Sequence, residues 1–315
     1  MSVSLHEIRY MPKYWSKRFK PAELVDEFFH YGFNITKEVR RTTRNELDIP
    51  YDSGKRTKYD IYGTNLPKDA PLMVFLHGGY WKESSKDVSG YAVPSFVAQG
   101  IRVIVAGYDL CPDVTLTEIV RQVKVLASKV LEQAHSWGSK WCVWFVGHSA
   151  GAHLFSCLLN DRAWFELNSG LRPEHLALLR GVVLVSGLYE IEPVLRTSNQ
   201  ETLKLTKEEV RNFSFCPHDE SEEVDQDTLD YAQHIKIILV AADSESPAFI
   251  EDSRRYARRL IKLIDRVEFL LVRDNYDHFN VVEDLTKNDY VLTRLIINNI
   301  ESTKNWSKAE KKSCN

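Results

Sequence analysis

The segment Gly147-His148-Ser149-Ala150-Gly151 sets a serine between two glycines, each two residues away. It follows the apolar run Trp141 to Gly147 (WCVWFVG) and precedes a helix-like AHLFSCLL. A serine between strand and helix suits acyl transfer. The sharp turn lifts Oγ above the sheet, small neighbours let the chain bend, and the helix N-terminus adds positive partial charge beside it. An inert serine in a glycine-rich turn is the alternative, and the flanking strand and helix weigh against it.

Attack on a carbonyl leaves charge on oxygen, which backbone N–H groups must hold. His77-Gly78-Gly79-Tyr80-Trp81 ends another apolar run, PLMVFLH. Gly78 and Gly79, with the amide of Ala150, are the expected oxyanion donors. Tyr80 and Trp81 are expected to border the substrate pocket, and His77 to anchor the loop rather than act as a base.

A serine also needs a base and a carboxylate to orient it, in the chain order serine, acid, histidine. His278 fits the base, because it lies in the loop Arg273 to Phe279 after the last strand-like run. The acid should follow the preceding run, IKIILVA, where Ala242-Asp243-Ser244-Glu245-Ser246-Pro247 offers Asp243 and Glu245. Either carboxylate can fix the histidine tautomer and stabilise its cation.

HGGYW, GHSAG, ESPAF and DHFNVVEDL together resemble the kynurenine formamidase (arylformamidase) family, relatives of the hormone-sensitive-lipase-like esterases. The resemblance spans about Tyr51 to Ile300 and implies an α/β-hydrolase fold. It further implies hydrolysis of N-formylkynurenine to kynurenine and formate in tryptophan catabolism, with no cofactor or metal. The family string Asp-Ser-Pro-Glu-Phe, aligned without gaps, sets its aspartate on Glu245 and favours that residue over Asp243. A homodimer is a family-level expectation. A general small-acyl carboxylesterase would share every triad residue, and a non-catalytic binding module would be expected to have lost Ser149 or His278.

The elements that must position these residues are legible as alternation. Val39 to Pro50 and Lys55 to Tyr62 read as two strands joined at Asp52-Ser53-Gly54. Pro71 to His77, Ile101 to Tyr108, Trp141 to Gly147, Gly181 to Ser186, Ile235 to Ala241 and Arg266 to Val272 read as strands buried on both faces. Thr115 to His135, Phe249 to Ile264 and Val282 to Ile300 have helical periodicity. The pattern predicts a single domain over 1–315 with a mostly parallel twisted sheet and helices on both faces. The charged stretch 189–231 is either a small helical cap or a solvated connection, and 301–315 reads as a flexible tail.

The chain has 315 residues, of which 43% are hydrophobic and 27% charged, with net charge −3. That balance does not point to nucleic acid or an anionic membrane as a partner. No apolar run approaches the roughly 18 residues of a membrane span, and the first residues lack a signal-peptide core. Five cysteines without C-x-x-C spacing argue against a disulfide framework or a zinc site, so a reducing cytoplasm is expected.

Overall fold

The computed structural model describes residues 3–138, 142–166, 170–216 and 226–313. Trp141, where one strand was expected to begin, lies outside them. Eight strands form one sheet: β1 (Asn45–Pro50), β2 (Lys58–Tyr62), β3 (Leu72–Leu76), β4 (Arg102–Ala106), β5 (Val143–His148), β6 (Leu179–Val185), β7 (Lys236–Ala242) and β8 (Val267–Val272). Their order is β1-β2-β4-β3-β5-β6-β7-β8. β2 runs antiparallel to both β1 and β4, and the remaining pairs are parallel.

The strands divide their side chains between two cores at a period of two, as a sheet covered on both faces requires. In β3, Leu72, Val74 and Leu76 join the core beneath the helices Leu116–Ser136, Ala150–Leu159 and Pro247–Ile261. Met73 and Phe75 join the opposite core, with Phe28, Val39, Ile296 and Ile300. The last four belong to the helices Pro21–Thr42 and Val291–Ser313.

Three expectations change. Residues 39–42 are the last turn of the helix Pro21–Thr42, and the strand begins only at Asn45. Leu24, Phe28, Gly32, Thr36 and Val39 form its buried stripe, a helical spacing that overrides the β-branched residues at its end. The helix expected over Val282 to Ile300 is broken: a short helix Asn280–Glu283 and a turn Asp284–Thr286 precede Val291–Ser313. That last helix continues through the residues read as a tail as far as Ser313.

The stretch 189–231 is short helical pieces rather than a solvated connection in its described part. It holds turns of 3₁₀ helix at Glu192–Arg196 and Gln226–Ala232 and helices Gln200–Leu203 and Lys207–Asn212. Thr206 and Glu209 form a reciprocal N-terminal cap on the last of these helices. Leu203, Leu205, Val210 and Phe215 sink into the core and anchor the segment.

Candidate active site

Ser149 sits where β5 becomes the helix Ala150–Leu159, in a left-handed conformation (φ 52°, ψ −115°) that L residues adopt only when their surroundings enforce it. Its N–H donates to the Val185 carbonyl at 2.8 Å, and its own carbonyl accepts from His153 N–H at 3.1 Å, so both sides of the turn are tied down. The bend is tight. A Cβ on Gly147 would lie 2.5 Å from the Gly151 carbonyl oxygen, and one on Gly151 2.3 Å from that of Leu76.

The loop after β3 lies directly against this turn. Gly79, Tyr80 and Trp81 have φ of 106°, 47° and 56°, a run of left-handed backbone that reverses the chain beside the serine. Lys82 and Glu83 N–H groups close it on the Gly79 carbonyl at 3.0 Å. A Cβ on Gly78 would lie 2.9 Å from Ser149 Cβ and 3.0 Å from the His148 carbonyl oxygen. Gly78→Ala is therefore expected to push the loop off the serine and lower kcat by roughly 10²-fold, the scale of one lost oxyanion donor. Steady-state kinetics beside a melting curve checks this, since the fold should remain.

Behind the loop, His77 is buried and stacks on Tyr108 with ring centroids 4.3 Å apart, its Nδ1 2.8 Å from the Gly78 carbonyl oxygen. This is an anchoring position. Burial holds its imidazole down to about 4, against one backbone bond that raises it. His153, buried with Nε2 2.8 Å from the Phe213 carbonyl, is likewise held down to about 4 by burial. Both rings stay neutral in the fold while the unfolded chain takes up their protons below about 6.5. Their stabilisation is thus complete above that value and is lost as pH falls toward 4, about 3 kcal/mol for each ring. A melting temperature that does not fall across this window would contradict the assignment.

His278 lies in the loop after β8. Its Nδ1 donates to Glu245 Oε1, and both residues are buried. The second oxygen of Glu245 accepts from Ser186 Oγ at 2.9 Å and from Ala242 N–H at 3.4 Å. Asp243 is half-buried, and its Oδ1 has no hydrogen-bond partner. Of the two candidate acids, the structure brings Glu245 to the imidazole. From below, His148 Nε2 donates to the His278 carbonyl at 2.8 Å. Burial and the neighbouring His278 push the His148 imidazole well below its ordinary value, so it stays neutral in this role.

Ser149, His278, Gly78, Gly79 and Tyr80 line one cavity of about 330 Å³. Trp81 does not border it, a correction to the sequence reading. At φ 56° its side chain turns into the core, 1% exposed, and its ring stands edge-on to His153 with centroids 4.8 Å apart. Tyr80 stays at the cavity, with its hydroxyl donating to the Tyr10 carbonyl. Among the described residues no cluster of His, Cys, Asp or Glu has the arrangement of a metal site, and no helix is long and apolar enough to cross a membrane.

A family model for the alpha/beta hydrolase fold matches residues 73–279. A solved structure from Silicibacter sp., 23% identical, superposes with a TM-score of 0.74 over 95% of this chain and all of its own, a likeness of fold. The kynurenine formamidase of Salmo salar is 33% identical over 92% of this chain and 94% of its own length. That of Danio rerio is 31% identical over 94% and 96%. The chain belongs to the kynurenine formamidase family of α/β hydrolases. This formamidase-family site also uses residues the sequence reading passed over. Ser186, at φ 51° on the end of β6, reaches Glu245 from a neighbouring strand and carries no local signal. The cavity roof comes from the N-terminal segment, with Met11, Pro12, Val25, Phe28 and Phe29, while Ser198 and Asn199 of the short-helix segment close another side. The four-residue spacing of Leu24, Phe28 and Gly32 was a readable sign of the roof helix.

Proposed function

We propose that this protein hydrolyses N-formylkynurenine to kynurenine and formate, with Ser149 as nucleophile, His278 as base and Glu245 as its orienting acid. The observation that carries the reading is the His278–Glu245 hydrogen bond on the wall of the cavity that Ser149 also lines. Ser149 Oγ attacks the formyl carbon while His278 takes its proton, and the amides of Gly78, Gly79 and Ala150 hold the oxyanion. His278 then gives that proton to the departing arylamine nitrogen as the C–N bond breaks, leaving a formyl ester on Ser149. A water molecule, deprotonated by His278, attacks the ester, and formate leaves as Ser149 recovers its proton.

The cavity suits this substrate. Phe28, Phe29 and Tyr80 offer apolar faces to an aromatic ring, and Lys13, Lys82 and Glu83 supply both charge signs for an amino-acid tail that carries both. The acyl fragment is a formyl group, so a glycine loop pressed against Ser149 leaves it enough room. The four described cysteines are buried and form no disulfide with one another, in keeping with the cytoplasmic setting that belongs to this reading. A homodimer, carried by the family resemblance, belongs to it as well.

Turnover of N-formylkynurenine, followed by kynurenine absorbance and set beside turnover of p-nitrophenyl acetate, tests the proposal. A higher kcat/KM for the formamide supports it. Strong ester turnover without formamide turnover would instead make the protein a general esterase.

A further inference from the structure

Asp277, the residue before His278, does more than precede the base. Its Oδ1 accepts the N–H groups of Phe279 and Asn280, both at 2.9 Å, and its own N–H donates to Asn280 Oδ1 at 2.6 Å. The buried Asp277 carboxylate thus fixes the backbone after His278, and the Asn280 amide oxygen fixes the backbone before it.

That carboxylate is gripped from outside the loop. Arg18 Nε donates to Asp277 Oδ2 at 2.8 Å and its Nη2 to Oδ1 at 3.2 Å, while Nη1 reaches Glu283 Oε2 at 2.8 Å. Ser16 Oγ adds a bond to Oδ2 at 2.6 Å. Arg18 therefore forks across two carboxylates, one just before and one at the end of the short helix that follows His278. Burial raises the Asp277 carboxyl, and the bonds from Arg18, Ser16 and Asn280 outweigh it and hold the group below its ordinary value. Burial leaves Glu283 above its own despite Arg18.

The same segment touches the other loops of the site. Tyr80 Oη donates to the Tyr10 carbonyl and Ser246 Oγ to the Arg9 carbonyl, one from the glycine loop and one from the acid's loop. Cavity roof residues lie before Arg18, at Met11 and Pro12, and after it, at Val25 and Phe28.

We propose that Arg18 is a positioning residue: its fork on Asp277 and Glu283 holds the His278 loop in register with Ser149 and fastens that loop to the cavity roof. The inference rests on the reading of Ser149 as nucleophile and His278 as base. A planar guanidinium satisfies both carboxylates at once, whereas an ammonium keeps the charge and loses the fork. Arg18→Lys therefore separates geometry from charge.

The experiment compares wild type, Arg18→Lys and a control, Lys17→Ala, which removes an exposed contact from the same segment to Asn275. Three quantities are measured: the rate of Ser149 modification by a fluorophosphonate, kcat and KM for N-formylkynurenine, and the melting temperature. Arg18→Lys is expected to remain folded, with modification rate and kcat both reduced about tenfold or more and KM changed by less than about threefold, because a small displacement of a catalytic group acts on the reacting geometry. Lys17→Ala should match wild type. An unchanged modification rate in Arg18→Lys would overturn the proposal, as would a rise in KM alone, which would make Arg18 part of the roof only. A folded wild type that takes no label would instead refute the nucleophile reading and this inference with it, whereas labelling without formamide turnover would leave Arg18 testable by the labelling rate.

Discussion

Replacing Ser149 with alanine is expected to lower kcat by roughly 10⁴–10⁶-fold, the range seen when the nucleophile of a triad is removed and only binding and oxyanion contacts remain. The fold should tolerate the change. Alanine keeps the Cβ that already sits at φ 52°, and the two backbone bonds that tie the turn use main-chain atoms only. Substrate affinity should also persist, since the cavity walls at Phe28, Phe29 and Tyr80 are untouched. Single-turnover kinetics with a binding measurement separates the two quantities. Loss of binding in parallel with rate would show that Ser149 shapes the cavity instead of reacting.

The second large effect is expected at Glu245. In Glu245→Gln the amide must decide which way to point. Ala242 N–H is an obligate donor beside Oε2, and Ser186 Oγ donates there too, so the amide oxygen turns to that side. The NH₂ group then faces His278 Nδ1 and forces that nitrogen to accept. The proton moves to Nε2, and a ring protonated there cannot take one from a serine. The expected loss in kcat is roughly 10³–10⁴-fold with little change in shape. Asp243→Asn, at a half-buried side chain with no bond to the imidazole, should keep kcat within about threefold of wild type, since it makes no contact that strengthens in the transition state. Equal losses for both variants would contradict the choice of Glu245.

Much of this site was legible because its chemistry is bound to local patterns. The serine, the glycine pair and the histidine each follow an apolar strand run, and a parallel sheet brings the ends of such strands to one edge. The elbow and the His278 loop are therefore readable as positions. Choosing between Asp243 and Glu245 is harder, because both follow β7 and only the path of the backbone decides which carboxylate reaches the ring.

Trp81 shows the opposite limit. It sits beside Tyr80 in sequence, yet the left-handed turn sends one ring to the cavity and the other into the core. Ser186 and the placing of the roof over the site were illegible for a third reason: they meet the site through contacts distant in sequence, and their residue types are ordinary. The helix Pro21–Thr42 carried a usable stripe, but Gly32 and Thr36 within it dilute its apolar signal, and Val39 at its end resembles a strand start.

The most direct test is an active-site titration. The protein is treated with increasing amounts of a fluorophosphonate, and residual N-formylkynurenine hydrolysis is plotted against the fraction of peptide carrying the adduct on Ser149. A straight line reaching zero activity at one adduct per chain is the predicted result. Full hydrolysis surviving complete modification of Ser149, or activity lost through an adduct on another residue, would contradict the account.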